Sequence, residues 1–258
     1  MDRLVFKVGT ATLYEDGKLS DRMDKIVELL SRLNDKYEIM LVSSGAVGAG
    51  YTRCPLDKTK LENKQALAAI GQPLLMKEYK TRFHKFGVTV AQVLVTAADF
   101  DSRKRTQNAK KMINVLLENK IIPIINENDS VSVDEILFGD NDQLSAYVTY
   151  YFDADMLIIL SDIDAFYTDN PKMNKNAKPL RVVNEIKEEW LKQECNPNDE
   201  FATGGIVTKL KAADFLMKKG KSMFLTSGFD LKDVNSFLRG KHEGGTLFVP
   251  KTNVGGVK

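Results

Sequence analysis

Apolar runs rich in Val, Ile and Leu recur along the chain, separated by stretches whose apolar positions repeat with helical period. Val5–Val8, Ile39–Val42, Val88–Val95, Ile121–Ile125, Met156–Leu160, Met223–Leu225 and Leu247–Val249 predict strands. Asp24–Leu33, Arg103–Glu118, Gln143–Tyr151 and Thr208–Lys218 predict helices. The strand runs are nearly continuous in apolar residues rather than alternating. That pattern, interleaved with helices, predicts an α/β fold with a mainly parallel sheet covered on both faces. Ligands of such sheets bind beyond the carboxyl ends of the strands. Polar clusters begin at those ends: Gly9, Ser43-Ser44-Gly45, Asn126–Asp129 and Ser161-Asp162. This coincidence is the main physical reason to expect an enzyme.

Between the regular segments, Val131–Phe138 reads as a hairpin or lid over the site, and Asp169–Pro179 and Glu194–Glu200 read as surface loops. No internal repeat or low-complexity tract is present. The 258 residues suit one large domain or two intimate lobes, with a boundary near residue 155. At 43% hydrophobic the chain can fill a substantial core, and 37 basic against 35 acidic side chains leave a net charge of only +2. That balance argues against a dedicated nucleic-acid or membrane-surface protein. No apolar run approaches the roughly 20 residues of a membrane span, and the first residues enter a strand without a signal-peptide pattern. Cys54 and Cys195 form no spacing motif and are expected as free thiols in a reducing cytoplasm. With only His84 and His242 besides, a zinc site is not expected.

Two lysines stand out. Lys7 closes an apolar strand and precedes Gly9; Lys209 follows the glycine turn Thr203-Gly204-Gly205-Ile206-Val207-Thr208 that opens a helix. Ile206, Leu210, Ala213 and Met217 form the apolar stripe of that helix, which places Lys209 off the core face but within reach of an anion at the turn. Gly45-Ala46-Val47-Gly48-Ala49-Gly50 is neither a Walker loop, because Tyr51 stands where Lys is required, nor a dinucleotide fingerprint, because its glycines have the wrong spacing. It is either a plain tight turn or a turn whose backbone N–H groups, with the Ser44 hydroxyl, receive an anion. Asn126–Asp129 is either a solvated loop or a pocket floor for a positive amine. Gly139-Asp140-Asn141-Asp142 carries more acids and amides than one helix cap needs. Ser161-Asp162 with Asp164 is either a cap or turn, or a strand-end carboxylate that spaces and aims two lysines.

Taken together and in order along the chain, Lys7-Val8-Gly9-Thr10, Ser43–Ala46, Asn126–Asp129, Gly139–Asp142, Ser161-Asp162 and Thr203–Lys209 resemble the glutamate 5-kinases of the amino acid kinase superfamily. The pair Asn-Glu-Asn-Asp and Gly-Asp-Asn-Asp is the more particular signal. Ile206 departs from the usual methionine, and 258 residues leave no room for the C-terminal RNA-modification-type (PUA) domain that many members carry. The resemblance implies a three-layer αβα sandwich, with a glutamate lobe over about residues 1–154 and an ATP lobe over about 155–258. It implies nucleotide binding by Lys7, Gly9, Ser161, Asp162, Thr203, Gly204, Gly205, Ile206, Val207, Thr208 and Lys209. It implies glutamate binding by Ser44, Gly45, Asp129, Asp140, Asn141 and Asp142. ATP with magnesium would be consumed, and L-glutamyl 5-phosphate would pass to a glutamyl phosphate reductase toward proline. Feedback inhibition by proline and a dimer or tetramer are further implications.

The chemistry suits this set. A side-chain carboxylate of pKa near 4.3 is already ionised at neutral pH, so it needs no general base. The obstacle is an anion attacking an anionic phosphate, which calls for positioning and charge neutralisation. On this reading Lys7 and Lys209 neutralise, Asp162 orients them, Gly9 and Gly45 lend N–H groups, Asp129 and Asn141 take the amine, and Ser44 takes a carboxylate. Rival readings are a kinase of acetylglutamate, aspartate or UMP, and a non-catalytic amino-acid sensor. A neutral acetylated amine has no use for Asp129, and no arginine cluster is present to hold UMP phosphate.

Overall fold

The computed structural model describes residues 2–15, 18–131, 141–171, 173–191 and 205–251. The strands are β1 (Arg3–Val8), β2 (Tyr14–Glu15), β3 (Lys18–Leu19), β4 (Glu38–Ser43), β5 (Val90–Val95), β6 (Ile122–Glu127), β7 (Met156–Ser161), β8 (Val182–Val183), β9 (Ser222–Ser227) and β10 (Thr246–Phe248). β2 and β3 form a small hairpin, and the other eight form one sheet in the order β5-β6-β4-β1-β7-β9-β10-β8. From β5 through β9 every pairing is parallel, and β10 runs antiparallel to β9. The α/β reading of the apolar runs therefore holds, with each matched strand within one or two residues of its expected ends. The candidate lid Val131–Phe138, the loop Glu194–Glu200, Cys195, Asp140, Thr203 and Gly204 lie outside the described residues, apart from Val131, which sits exposed in a turn.

The order of strands locates the site. The chain leaving β1 runs toward β4, while the chain leaving β7 runs toward β9, on the opposite side. The crevice between the carboxyl ends of β1 and β7 is thus a topological switch point, where open α/β sheets bind ligands. Register keeps the ends level, with Val8 beside Ser43 on one side and Leu160 on the other.

Alternate residues face opposite layers, as a strand's period of two requires. Leu4, Phe6 and Val8 join one core with Met23, Leu30, Leu75 and Tyr79; Val5 joins the other with Leu144, Ala146, Leu210 and Leu216. Lys7 has the parity of Val5. Its side chain is thereby sent toward the layer that holds the helices Asn141–Tyr151 and Ile206–Lys218.

A long helix, Leu61–His84, is absent from the expected set. Its sequence hides it: Pro73 interrupts the pattern, and apolar residues are spread around the helix rather than in one stripe. The proline removes the donor to the Ala69 carbonyl, but Ala69 is exposed, so water can take its place. This helix packs tightly on Ala46–Tyr51 through glycines of both. A Cβ on Gly71 would overlap the carbonyl oxygen of Ala46, and one on Gly50 would overlap that of Leu67. In an exposed helix Gly→Ala stabilises by about 1 kcal/mol. Here overlap with rigid backbone reverses the sign, and Gly71→Ala is expected to destabilise by about 3 kcal/mol. Urea unfolding would show it; a stabilised variant would mean that the two helices separate at little cost.

Candidate active site

The centre of the crevice is a buried ionic triad. The Asp142 carboxylate, with no exposed side-chain surface, lies between two ammonium groups: Lys7 Nζ is 2.6 Å from Oδ1 and Lys209 Nζ is 3.2 Å from Oδ2. The Thr208 hydroxyl lies 2.8 Å from Oδ2. Three elements meet here: Lys7 from the carboxyl end of β1, Asp142 from the first turn of the helix Asn141–Tyr151, and Thr208 and Lys209 from the first turn of Ile206–Lys218. Small buried residues, Ser145, Ala146 and Thr149, line the face of the helix below Asp142 and let it lie close to its neighbours. Burial alone would push the Asp142 carboxyl upward, but Lys7 and Lys209 outweigh it and hold the group well below the usual carboxylate range. The triad carries a net charge of +1 at the mouth of the parallel sheet. Gly9 follows the end of β1, and a Cβ there would stand 3.6 Å from Lys7 Nζ.

Two expectations are corrected. Asp162 does not space the lysines: it is exposed and its carboxylate accepts from the Ser161 hydroxyl at 2.9 Å. Asp142, expected among the substrate-binding residues, takes the spacing role instead. Lys209 is likewise not off the core face but 3% exposed, in line with Leu216 and Ala212. Ionic pairing inside the fold overrides the apolar stripe. Ser161 and Asp162 stand at the end of β7, where they were expected, and Gly205 caps the helix that carries Ile206, Val207, Thr208 and Lys209.

A second cluster lies at the ends of β4 and β6. The Asn141 amide nitrogen is 2.7 Å from Ser44 Oγ, 3.0 Å from Asn126 Oδ1 and 3.3 Å from the Ser43 carbonyl oxygen. Asn126 in turn donates through Nδ2 to Gln72 Oε1 at 3.0 Å. Ser43 Oγ shares a 2.7 Å hydrogen bond with the buried Tyr79 hydroxyl. Gly45 turns the chain with φ +108°, a left-handed conformation that favours glycine, and the Tyr14 ring closes over it. The glycine motif thus divides its labour: Gly45 serves the turn and Gly50 serves helix packing. Gln72 was missed in the sequence; the only signal was a polar residue beside Pro73 in an otherwise apolar stretch.

Asp129 follows β6, half-buried. Burial, aided by the negative charge of Glu127, raises its pKa to about 6. A carboxylate kept in so unfavourable a place suits a site that awaits a cation.

Residues 2–227 match the sequence profile of the Amino acid kinase family. A glutamate 5-kinase of Leishmania donovani is 50% identical over 253 residues, covering 97% of this chain and 96% of the relative. A glutamate 5-kinase of Wolinella succinogenes is 54% identical over 256 residues, covering 96% and 98%. The chain belongs to the glutamate 5-kinases of the amino acid kinase family. The fold is shared more widely: a carbamate kinase from Giardia lamblia bound to AMP-PNP superposes with a TM-score of 0.66 at 14% identity, over 96% of this chain and 98% of the other. Among the described residues no helix is long and apolar enough to cross a membrane.

Proposed function

We propose that this protein transfers the γ-phosphoryl group of ATP to the side-chain carboxylate of L-glutamate, and that the Lys7–Asp142–Lys209 triad is the catalytic centre. The observation that carries this reading is two buried ammonium groups held by one carboxylate at the switch point. A carboxylate oxygen of glutamate attacks the γ-phosphorus, and the bond to the β–γ bridging oxygen breaks with its electron pair leaving on ADP. No proton need move, so no base is required. Negative charge builds on the transferring group and on ADP. Lys7 and Lys209 neutralise it from fixed positions, at no reorganisation cost during the reaction.

Asp142 holds the two ammonium groups apart and offsets their mutual repulsion inside the fold. Gly9, Ser161, Asp162 and the turn from Thr203 to Lys209 receive the nucleotide. Ser44, Asn141 and Asp129 receive glutamate, the last two at its amine. Magnesium fits as an ion carried by the nucleotide, since Asp142 is committed to the lysines and Asp162 stands exposed at the end of β7; when bound it would neutralise phosphate charge. In the cell the product would be consumed by a reductase of acyl phosphates in proline synthesis, with proline as inhibitor at the glutamate site and a homo-oligomer as the working form.

Trapping the acyl phosphate with hydroxylamine tests this directly. ATP-dependent hydroxamate should form with glutamate and not with aspartate or acetylglutamate; hydroxamate from acetylglutamate alone would overturn the substrate assignment.

Asp129 supplies an independent check with a defined sign. Its folded pKa of about 6 lies above the unfolded value, so the native state binds more protons in between. Stability contributed by this group is therefore lost as pH rises from about 4 to about 6. Asp129→Asn is expected to melt higher than wild type at pH 8 without ligand, the gap narrowing toward pH 5. The same variant should raise the KM for glutamate at least tenfold and leave the KM for ATP unchanged. A selective loss of ATP affinity would refute the amine role.

A further inference from the structure

The chain of amides beside the triad has a direction, and a main-chain carbonyl sets it. The Ser43 carbonyl oxygen can only accept, so Asn141 must turn its Nδ2 toward it at 3.3 Å. Asn141 Nδ2 also lies 3.0 Å from Asn126, which must therefore present Oδ1. Asn126 then presents Nδ2 to Gln72, which must answer with Oε1 at 3.0 Å. Reversing any member would set two donors or two acceptors against each other. The end of the chain bears the cost: Gln72 is only 7% exposed, and its Nε2 is shielded from solvent with no hydrogen-bond partner among the described residues.

Such an orphan is unusual, because buried donors are nearly always satisfied. It would be removed at once by a Met or Leu at this position, both of which suit a buried helix face. Retaining Gln there makes sense only if Oε1 is needed. What Oε1 does is hold Asn126, and through it Asn141, in one orientation. In that orientation the two Nδ2 hydrogens of Asn141 are shared among Ser43, Ser44 and Asn126, and Asn141 Oδ1 is left as the acceptor.

On the glutamate reading of this site, we infer that Gln72 is a positioning residue that sets the Asn126–Asn141 relay so that Asn141 Oδ1 faces the substrate ammonium group. Gln72 thereby helps to select acceptors with a free amine, without touching them. Released from Gln72, the Asn126 amide can rotate, and Asn141 can then present its NH2 end to a cation, which is repulsive.

The test is Gln72→Met, which preserves length and apolar volume, with Gln72→Leu as a second apolar replacement should the first not fold. Wild type and variant are compared for the KM of glutamate, the KM of ATP, kcat, thermal midpoint, and competitive inhibition by glutarate. Glutarate keeps both carboxylates and lacks the amine. The expected result is a KM for glutamate raised at least about tenfold, the scale of one hydrogen bond to a charged group. The KM for ATP, kcat and the inhibition constant of glutarate should stay within about twofold on the same basis, and the thermal midpoint should stay close to that of wild type, because the orphan Gln72 Nε2 is gone while buried Asn126 loses one acceptor. Equal weakening of glutamate and glutarate, or a lowered midpoint with all constants affected, would show a purely structural side chain and overturn the inference. So would an unchanged KM for glutamate. Absence of glutamate turnover in the wild type would instead sink the substrate reading itself.

Discussion

Asp142→Asn is expected to lower both stability and turnover more than any other conservative change in this chain. The substitution keeps the shape and removes the charge. Lys7 and Lys209, 4% and 3% exposed, would then face one another across a neutral amide. Breaking a buried ion pair by removing one partner costs about 3–5 kcal/mol, a large share of the roughly 5–15 kcal/mol that holds a domain together. The two like charges would then repel each other with no carboxylate between them to hold them in place. Turnover should drop at least about a hundredfold, the scale of one lost preorganised electrostatic group. Urea unfolding and steady-state kinetics on the same preparation measure both. A stability loss below about 1 kcal/mol would mean that the lysines find other partners without strain. The sign with pH is also defined. The folded Asp142 carboxyl sits well below its unfolded value, so its stabilisation is in full above about pH 4 and is lost as acid approaches the folded pKa.

Lys7→Met and Lys209→Met are expected to separate the two effects. Each leaves Asp142 paired with the other ammonium, at 2.6 or 3.2 Å. Each also removes the repulsion between two buried like charges. Stability should therefore fall far less than in Asp142→Asn. Turnover should still drop at least about a hundredfold, because each lysine neutralises charge that builds only in the transition state. The comparison of kcat with unfolding free energy across the three variants distinguishes a catalytic triad from a structural one. Near-normal turnover in either lysine variant would remove that lysine from the mechanism, whatever its burial.

The parallel sheet was legible because burial on both faces writes itself locally as apolar β-branched runs, and Val5–Val8 or Met156–Leu160 can be read without knowing their neighbours. The helix Leu61–His84 was not, since Pro73 breaks the local pattern and its packing on Ala46–Tyr51 rests on the absence of side chains at Gly50 and Gly71. Close approach of two backbones has no signature in hydrophobic period. Lys209 reads as off the core stripe for a related reason: period counts a lysine as polar, whereas pairing with Asp142 makes it an interior residue.

By itself, the sequence determined the class of fold, the end of the sheet where chemistry gathers, and the short polar motifs that place the chain among the glutamate 5-kinases. These follow from strand period, turn chemistry and residue order, all of which act over a few residues. Only the tertiary structure decided which carboxylate pairs with the lysines and which side chain closes the amide chain beside them. Asp142 and Lys209 are 67 residues apart and Gln72 and Asn126 are 54 apart. Asp142 and Asp162 are the same residue type, and each stands at the end of a strand or helix. What separates them is the direction in which the first turn of a helix points one carboxylate into the crevice while the end of β7 leaves the other in water. That direction exists only once the layers have packed.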